Sequence, residues 1–144
     1  MGLQNRLKFW MHRLLQGVPS ARAPRQALGK RAEDRAARFL RQQGYRILER
    51  NFHCPQGEID LIAFRDGVIA FTEVRARTEP VGLDALATVT ELKRRRLIRA
   101  AHAYVSFHNL TQENVDFRFD VISLRYASDG TLLQVEHIPG AFQE

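Results

Sequence analysis

With 144 residues, 44% of them hydrophobic and 26% charged, the chain reads as a soluble protein with one properly cored domain, and no run approaches the roughly 18 apolar residues of a membrane span. Its one cysteine, Cys54, excludes an intramolecular disulfide and a thiolate zinc cluster, and makes the cytoplasm the default compartment. The net charge of +6 is unevenly spread: residues 1–52 carry 12 Lys and Arg against 3 Asp and Glu, and residues 53–144 carry 10 against 13, the footprint expected of a polyanion binder.

Residues 1–23 read as a basic amphipathic arm and linker ahead of a domain at 24–144. Leu3, Leu7, Trp10, Leu14 and Val18 recur at helical spacing, with Arg6, Lys8 and Arg13 among them. A weakly ordered appendage is the plain reading; a membrane-interface helix and a nucleic-acid arm are the alternatives. The stretch lacks the long apolar core and cleavage site of a signal peptide. A linker, Ser20 to Pro24, follows.

The first helix is expected from Pro24 or Arg25 to Gln43, since Pro suits a first turn and Gly44 a C-cap. Asp34 lies four residues before Arg38 on a solvated face. Glu33 is different, because its neighbours at i+3, i+4 and i+7 are Ala36, Ala37 and Leu40, the core stripe. It either snorkels from the stripe's edge or points into a site. Tyr45 to His53 reads as a strand, turning at Cys54-Pro55-Gln56.

Gly57 to Arg77 is the stretch that organises the chain. Asp66-Gly67 between alternating apolar runs signals a two-residue type I′ hairpin. Arg65 then faces Val68, Asp60 faces Glu73, and Glu58 faces Arg75. Ile59, Leu61 and Ala63 are expected on one face, and Ile62, Phe64, Ile69 and Phe71 on the other. Like charges directly opposite destabilise a sheet, with Cβ atoms roughly 4.5–5.5 Å apart. A cation shared between Asp60 and Glu73 would offset that cost. A solvated ion pair between Asp60 and a nearby Arg is the bland alternative, and a three-residue turn would shift the register and remove the argument.

Beyond Arg77 a polar loop passes Pro80 and Gly82, with a short turn at Leu83 to Ala87. A helix to about Ser106 follows, with Thr88 and Glu91 as its capping box. Val89, Leu97, Ala100 and Tyr104 form its apolar stripe, and Lys93 falls on that stripe while Arg94, Arg95 and Arg99 face elsewhere. Asp116 to Tyr126 reads as a strand, Ser128-Asp129-Gly130 as a turn and Thr131 to Ile138 as the returning strand. Pro139 to Phe142 closes the domain. Arg118 and Asp120 share a strand face and read as a structural ion pair. His53 and His137 read as ordinary polar residues, and Cys54 as a packed or partly exposed thiol.

Glu33, Asp60, Glu73 and Lys93 are thus oddly placed for a globular core, and Arg75 shares a strand face with Glu73. Metal-assisted phosphodiester hydrolysis needs such a set. Carboxylates hold an ion that lowers the pKa of bound water and polarises the phosphate. A cation beside them stabilises developing charge. Arg75 cannot be the general base, because guanidinium does not deprotonate in proteins.

GEIDLI followed by F-x-E-V-R-x-R, with GKRAEDRAARFL upstream and RFDVISL downstream, resembles the YraN-type family of small, largely uncharacterised bacterial proteins. That family is similar to Holliday-junction resolvases and to the wider PD-(D/E)XK nuclease superfamily. The match covers roughly residues 26–142. It implies an α/β fold, a restriction-endonuclease-like α-β-β-β-α-β core with a mixed sheet flanked by helices. It also implies a Mg²⁺- or Mn²⁺-dependent endonuclease acting on branched or structured DNA. Carried over residue by residue, it puts the metal ligands at Asp60, Glu73 and Glu33 and adds Lys93. Arg75 departs from the superfamily's Lys. Two other readings stay open: a nucleic-acid-binding module of the same fold without turnover, and an interaction protein docked by residues 1–18. A homodimer without stable membrane insertion is compatible with all three.

Overall fold

The computed structural model describes residues 23–79 and 89–144, the side chains of 23–26 excepted. Of the expected arm and linker, residues 1–22 lie outside the described residues, as do the loop at 80–82, the turn at 83–87 and Thr88, while Ala23 and Pro24, expected in the linker, already belong to the first helix. Helix α1 spans Ala23–Gln42 and is followed by strands β1 (Arg46–Cys54), β2 (Gly57–Arg65) and β3 (Val68–Thr78). Helix α2 (Glu91–Phe107) and a short 3-10 turn at Leu110–Gln112 precede β4 (Asp116–Tyr126) and β5 (Leu132–Phe142). The five strands form one mixed sheet in chain order, parallel only between β3 and β4. This order matches a restriction-endonuclease-like α-β-β-β-α-β core with β5 added.

The two helices cover opposite faces. Ala32, Ala36, Ala37 and Leu40 of α1 pack with Leu61, Ala63, Ala70, Ile122 and Leu124. Leu97, Ala100, Ala101 and Tyr104 of α2 pack with Phe52, Ile62, Phe71, Phe119 and Val121. Small residues on α1 let it lie close to the sheet, while the α2 side is filled by aromatic rings: Phe71 meets Tyr104 and Phe119 at centroid distances of 5.9 Å each. Both faces of β2 and β3 are buried, which is why their sequences run apolar instead of alternating.

The hairpin turn is the two-residue one, with Asp66 and Gly67 at φ of 51° and 78°. The pairs run from Arg65↔Val68 to Leu61↔Thr72 and stop there. The ladder therefore ends one pair short of Asp60 and Glu73, correcting the expected opposition of the two. Glu58 is likewise not opposite Arg75; it pairs with His53 of β1. Ile59 also departs from expectation, packing on the α2 face with Ile62 and Phe71 and not with Leu61 and Ala63. The cause sits across the strand. Asn51, at φ 52°, lies between the pairs Arg50↔Leu61 and Phe52↔Ile59, opposite Asp60. A left-handed residue there breaks the alternation while the one-to-one register is kept; the register shift of this strand pair lies further back, between Ile47 and Glu49.

Two boundaries and one side-chain partner also differ from expectation. Helix α2 is capped by Thr90, whose hydroxyl accepts the Lys93 N–H at 3.2 Å, and not by Thr88. Asp34 bonds Arg50 of β1, not Arg38. Strand β5 continues through Pro139 and Gly140 to Phe142, with a register shift opposite Asp120. Proline is tolerated because β5 is an edge strand.

Candidate active site

Where the ladder stops, β2 and β3 fork, and the charged residues gather in the fork. Asp60 is held there by a backbone bond in place of the ladder: Val74 N–H donates to its Oδ2 at 2.7 Å. Glu73 pairs across the parallel ladder with Val121, and so points to the α2 face. Its side chain is only 3% exposed, which makes it a buried carboxylate in need of cations. Lys93 supplies one, its Nζ in direct ion contact with Glu73 Oε1. Arg75 Nε stands 3.6 Å from the same oxygen. The Thr90 cap sets where α2 begins and hence that Lys93, in its first turn, faces the sheet.

Asp60 keeps part of its surface at the mouth of the fork, yet its carboxyl is pushed well above its ordinary range. Burial is the main cause, followed by the charge of Glu73; the Val74 bond and Lys93 oppose them. Glu33 reaches the fork from the opposite face of the sheet. It is near enough for its charge to raise Asp60 further. Its own carboxyl is raised by burial, against a hydrogen bond from Asn51 and the charge of Arg50. Glu33, Asp60, Glu73, Arg75 and Lys93 are therefore brought into one electrostatic neighbourhood, Glu33 from α1 and Lys93 from α2. Among the described residues, however, no three His, Cys, Asp or Glu side chains converge as a ready-made metal cluster.

Asn51 is a site residue that sequence reasoning passed over. The signal available was an Asn in mid-strand, a residue type that tolerates the left-handed region. Glu58 stays at the rim, its Oε2 3.3 Å from His53 Nδ1, and its charge also raises Glu33. Cys54 is part-buried and donates to the Gly57 carbonyl at 3.4 Å.

A second buried carboxylate lies apart from the fork, on the α1 face. Asp120 accepts from Arg118 Nε and Nη2 at 2.7 and 2.8 Å, from His137 at 2.8 Å and from Gly140 N–H at 3.0 Å. Arg118 also donates to the Tyr45 hydroxyl at 2.8 Å. His137 is thus a member of a buried network and not an ordinary polar residue. Burial pushes Asp120 up, but the bonds from Arg118, His137 and Gly140 outweigh it and leave the carboxyl below its ordinary value. All four lone-pair directions of this carboxylate are taken, so it has no capacity left for a ligand.

With the geometry in view, the comparisons with other proteins bear on the whole assembly. A profile of the uncharacterised protein family UPF0102 matches residues 32–124, which hold the second half of α1, the hairpin, Lys93 and most of β4. The chain belongs to the UPF0102, or YraN, family. A UPF0102 protein of Myxococcus xanthus is 42% identical over 123 residues, 85% of this chain and 94% of its own. One from Alkalilimnicola ehrlichii is 52% identical over 106 residues, covering 73% and 82%. One from Roseiflexus castenholzii is 38% identical over 120 residues, covering 83% and 96%. All of Glu33, Asp60, Glu73, Arg75 and Lys93 fall inside the UPF0102 match. Among the described residues no helix is long and apolar enough to cross a membrane.

Proposed function

We propose that this UPF0102 protein is a metal-dependent endonuclease that hydrolyses phosphodiesters of branched or structured DNA. The observation that carries the reading is the fork itself: two acidic side chains buried together, Asp60 with its charge suppressed and Glu73 held by Lys93 and Arg75. A structure built for stability alone would not bury that pair.

The donor set fits Mg²⁺ or Mn²⁺. Both are hard cations that take oxygen ligands, and Mg²⁺ in particular is commonly held by one or two carboxylates with water and substrate phosphate completing its shell. Asp60 and Glu73 would be its ligands, with Glu33 behind them. Bound there, the cation would supply a water of lowered pKa and polarise the phosphate. The protein's own groups account for the rest. Val74 N–H fixes the Asp60 carboxylate. Asn51 holds Glu33. Lys93 and Arg75, both beside Glu73, would stabilise negative charge developing on the phosphate, and Arg75 would serve only as a charge, since it cannot take a proton. The same reading sets the protein to work in the cytoplasm, where DNA is found, and admits a homodimer presenting two sites to one branched substrate.

A DNA-binding module without turnover is the second reading, favoured by Arg75 at the position where the superfamily pattern has Lys. The two are separated by incubating branched, flapped and linear DNAs with the protein in Mg²⁺, Mn²⁺ or EDTA. Metal-dependent cleavage lost in Asp60→Asn and Glu73→Gln supports the endonuclease. Binding without cleavage in either metal supports the module.

A further inference from the structure

Beside Glu73 opens a cleft of ≈ 670 Å³. Among the described residues its walls are the β1–β2 turn, from His53 to Glu58, and the start of α2, from Thr90 to Leu97. We propose that this cleft receives a single unpaired nucleotide of the DNA strand, its base against Pro55 and Leu92 and its phosphate against Arg96. The proposal rests on the nucleic-acid reading above and gives it a substrate class: DNA carrying an unpaired nucleotide at a branch or bulge, in preference to continuous duplex.

Size is the first argument. A space of this volume falls in the range of small-molecule sites, roughly 300–1,000 Å³. It suits one nucleotide, whereas a stacked base pair within a duplex has no part narrow enough to enter. Extruding a paired base costs free energy that a base already unpaired does not.

The walls supply the second argument. Leu92 is 59% exposed on the first turn of α2, and Pro55 is exposed at the tip of the turn facing the cleft. Leu and Pro are residue types that proteins set against unstacked bases.

Charge is the third. Of the basic side chains on the cleft, Lys93 is engaged by Glu73 and His53 by Glu58. Arg96 is exposed and has no hydrogen bond or ion pair with another described residue. Among the described residues lining the cleft it is therefore the basic side chain engaged by neither carboxylate. A guanidinium left in this way matches a phosphate well.

The site is also pre-formed. A Cβ on Gly57 would lie 2.6 Å from the Arg96 carbonyl oxygen, so the turn and the helix are in backbone contact and the spacing of the walls is set. A nucleotide seated here has Glu73 in the wall of its own cleft, which brings its phosphodiester to the acidic fork.

The test uses the full chain and two fluorescent DNAs in EDTA at fixed salt: a 20-base-pair duplex, and the same duplex with one unpaired nucleotide. The bulged DNA is expected to bind about tenfold tighter, the worth of burying one large apolar contact. Leu92→Ala should bring that ratio towards one with duplex affinity kept. Arg96→Gln should weaken the bulged DNA more than the duplex. Both side chains are exposed, and unchanged melting temperatures confirm that the variants fold. A parent ratio of one, or a ratio that both variants keep, overturns the proposal. Cleavage of the same DNAs in Mg²⁺ separates it from the endonuclease reading. A variant-sensitive ratio without cleavage retains the cleft and removes the nuclease. Cleavage with a variant-insensitive ratio does the reverse.

Discussion

The charge on Asp60 is opposed twice in the folded protein, first by burial and then by Glu73. Its folded pKa lies above its unfolded value, so the native state holds the proton more tightly than the unfolded chain. Stability from this group is therefore greatest below the unfolded pKa and falls as pH rises through the folded one. Asp60→Asn keeps an oxygen for the Val74 N–H and removes the charge. It should stabilise the metal-free protein at neutral pH, because the variant has no charge to bury beside Glu73. The gain should vanish as pH drops below the ordinary carboxylate range. Mg²⁺ should raise the melting temperature of the parent more than that of the variant, because a ligand stabilises only the state that binds it. Melting curves of both proteins in EDTA at neutral and acid pH, and in Mg²⁺ at neutral pH, measure all three. A destabilised variant, with no metal-dependent shift in either protein, would mean that Asp60 is a structural ion-pair partner and the fork no metal site.

At the scale of elements, two contacts hold the sheet and helices in register around the fork. One is the β1–β2 turn on α2. Gly57→Ala puts a methyl against backbone, which cannot swing aside as a flexible side chain would. The turn must lift off, at a cost of about 1–3 kcal/mol by analogy with overpacking. Denaturant unfolding would report it as a lower midpoint with an unchanged slope. The other is the Asp120 network, which ties β4 to β5 and, through Tyr45, to the end of α1. Asp120→Asn leaves Arg118 and His137 without their carboxylate, and losses of roughly 3–5 kcal/mol are usual when one partner of a buried ion pair is removed. Here the pH dependence has the opposite sign to that of Asp60. The folded pKa of Asp120 is depressed, so its stabilisation is present above the unfolded pKa and is lost as pH falls through the folded one. Acid titration of parent and variant should show their stabilities converging at low pH; parallel curves would assign the network no electrostatic share.

For the whole molecule the uneven charge is the governing feature. Exposed Arg31, Arg38 and Arg41 line α1, and exposed Arg95, Arg96 and Arg99 line α2, so both helical layers carry a basic surface. DNA binding should therefore weaken steeply with salt, by about 0.9 in log K per log salt for each phosphate neutralised. Titrating a labelled duplex at several salt concentrations gives the slope. Affinity that does not change with salt would leave the basic surface a matter of solubility. The acidic fork lies between the two layers, with Lys93 of α2 against Glu73.

The local elements were legible in the chain because their signals are short-range. Asp66-Gly67 specified the turn, and with it every β2–β3 pair from Arg65↔Val68 to Leu61↔Thr72. Ala36, Ala37 and Leu40 marked the buried face of α1, and Lys93 stood out on the α2 stripe as a charge among apolar neighbours. What alternation alone could not supply was the break at Asn51. One residue at positive φ in β1 flips Ile59, ends the ladder before Asp60 and replaces a cross-strand pair with a side-chain bond to Val74. A period of two extrapolates through such a break because no residue in β2 itself announces it. His137 illustrates the same limit. Its place beside Asp120 depends on β5 running on through Pro139 and Gly140 as an edge strand, which is decided by what it pairs with and not by its own composition. The sequence by itself thus determined which residues are apolar, which turn and which carry chemistry. The tertiary structure alone decided that Glu33 and Lys93, on helices covering opposite faces of the sheet, are brought near Asp60 and Glu73 where β2 and β3 part.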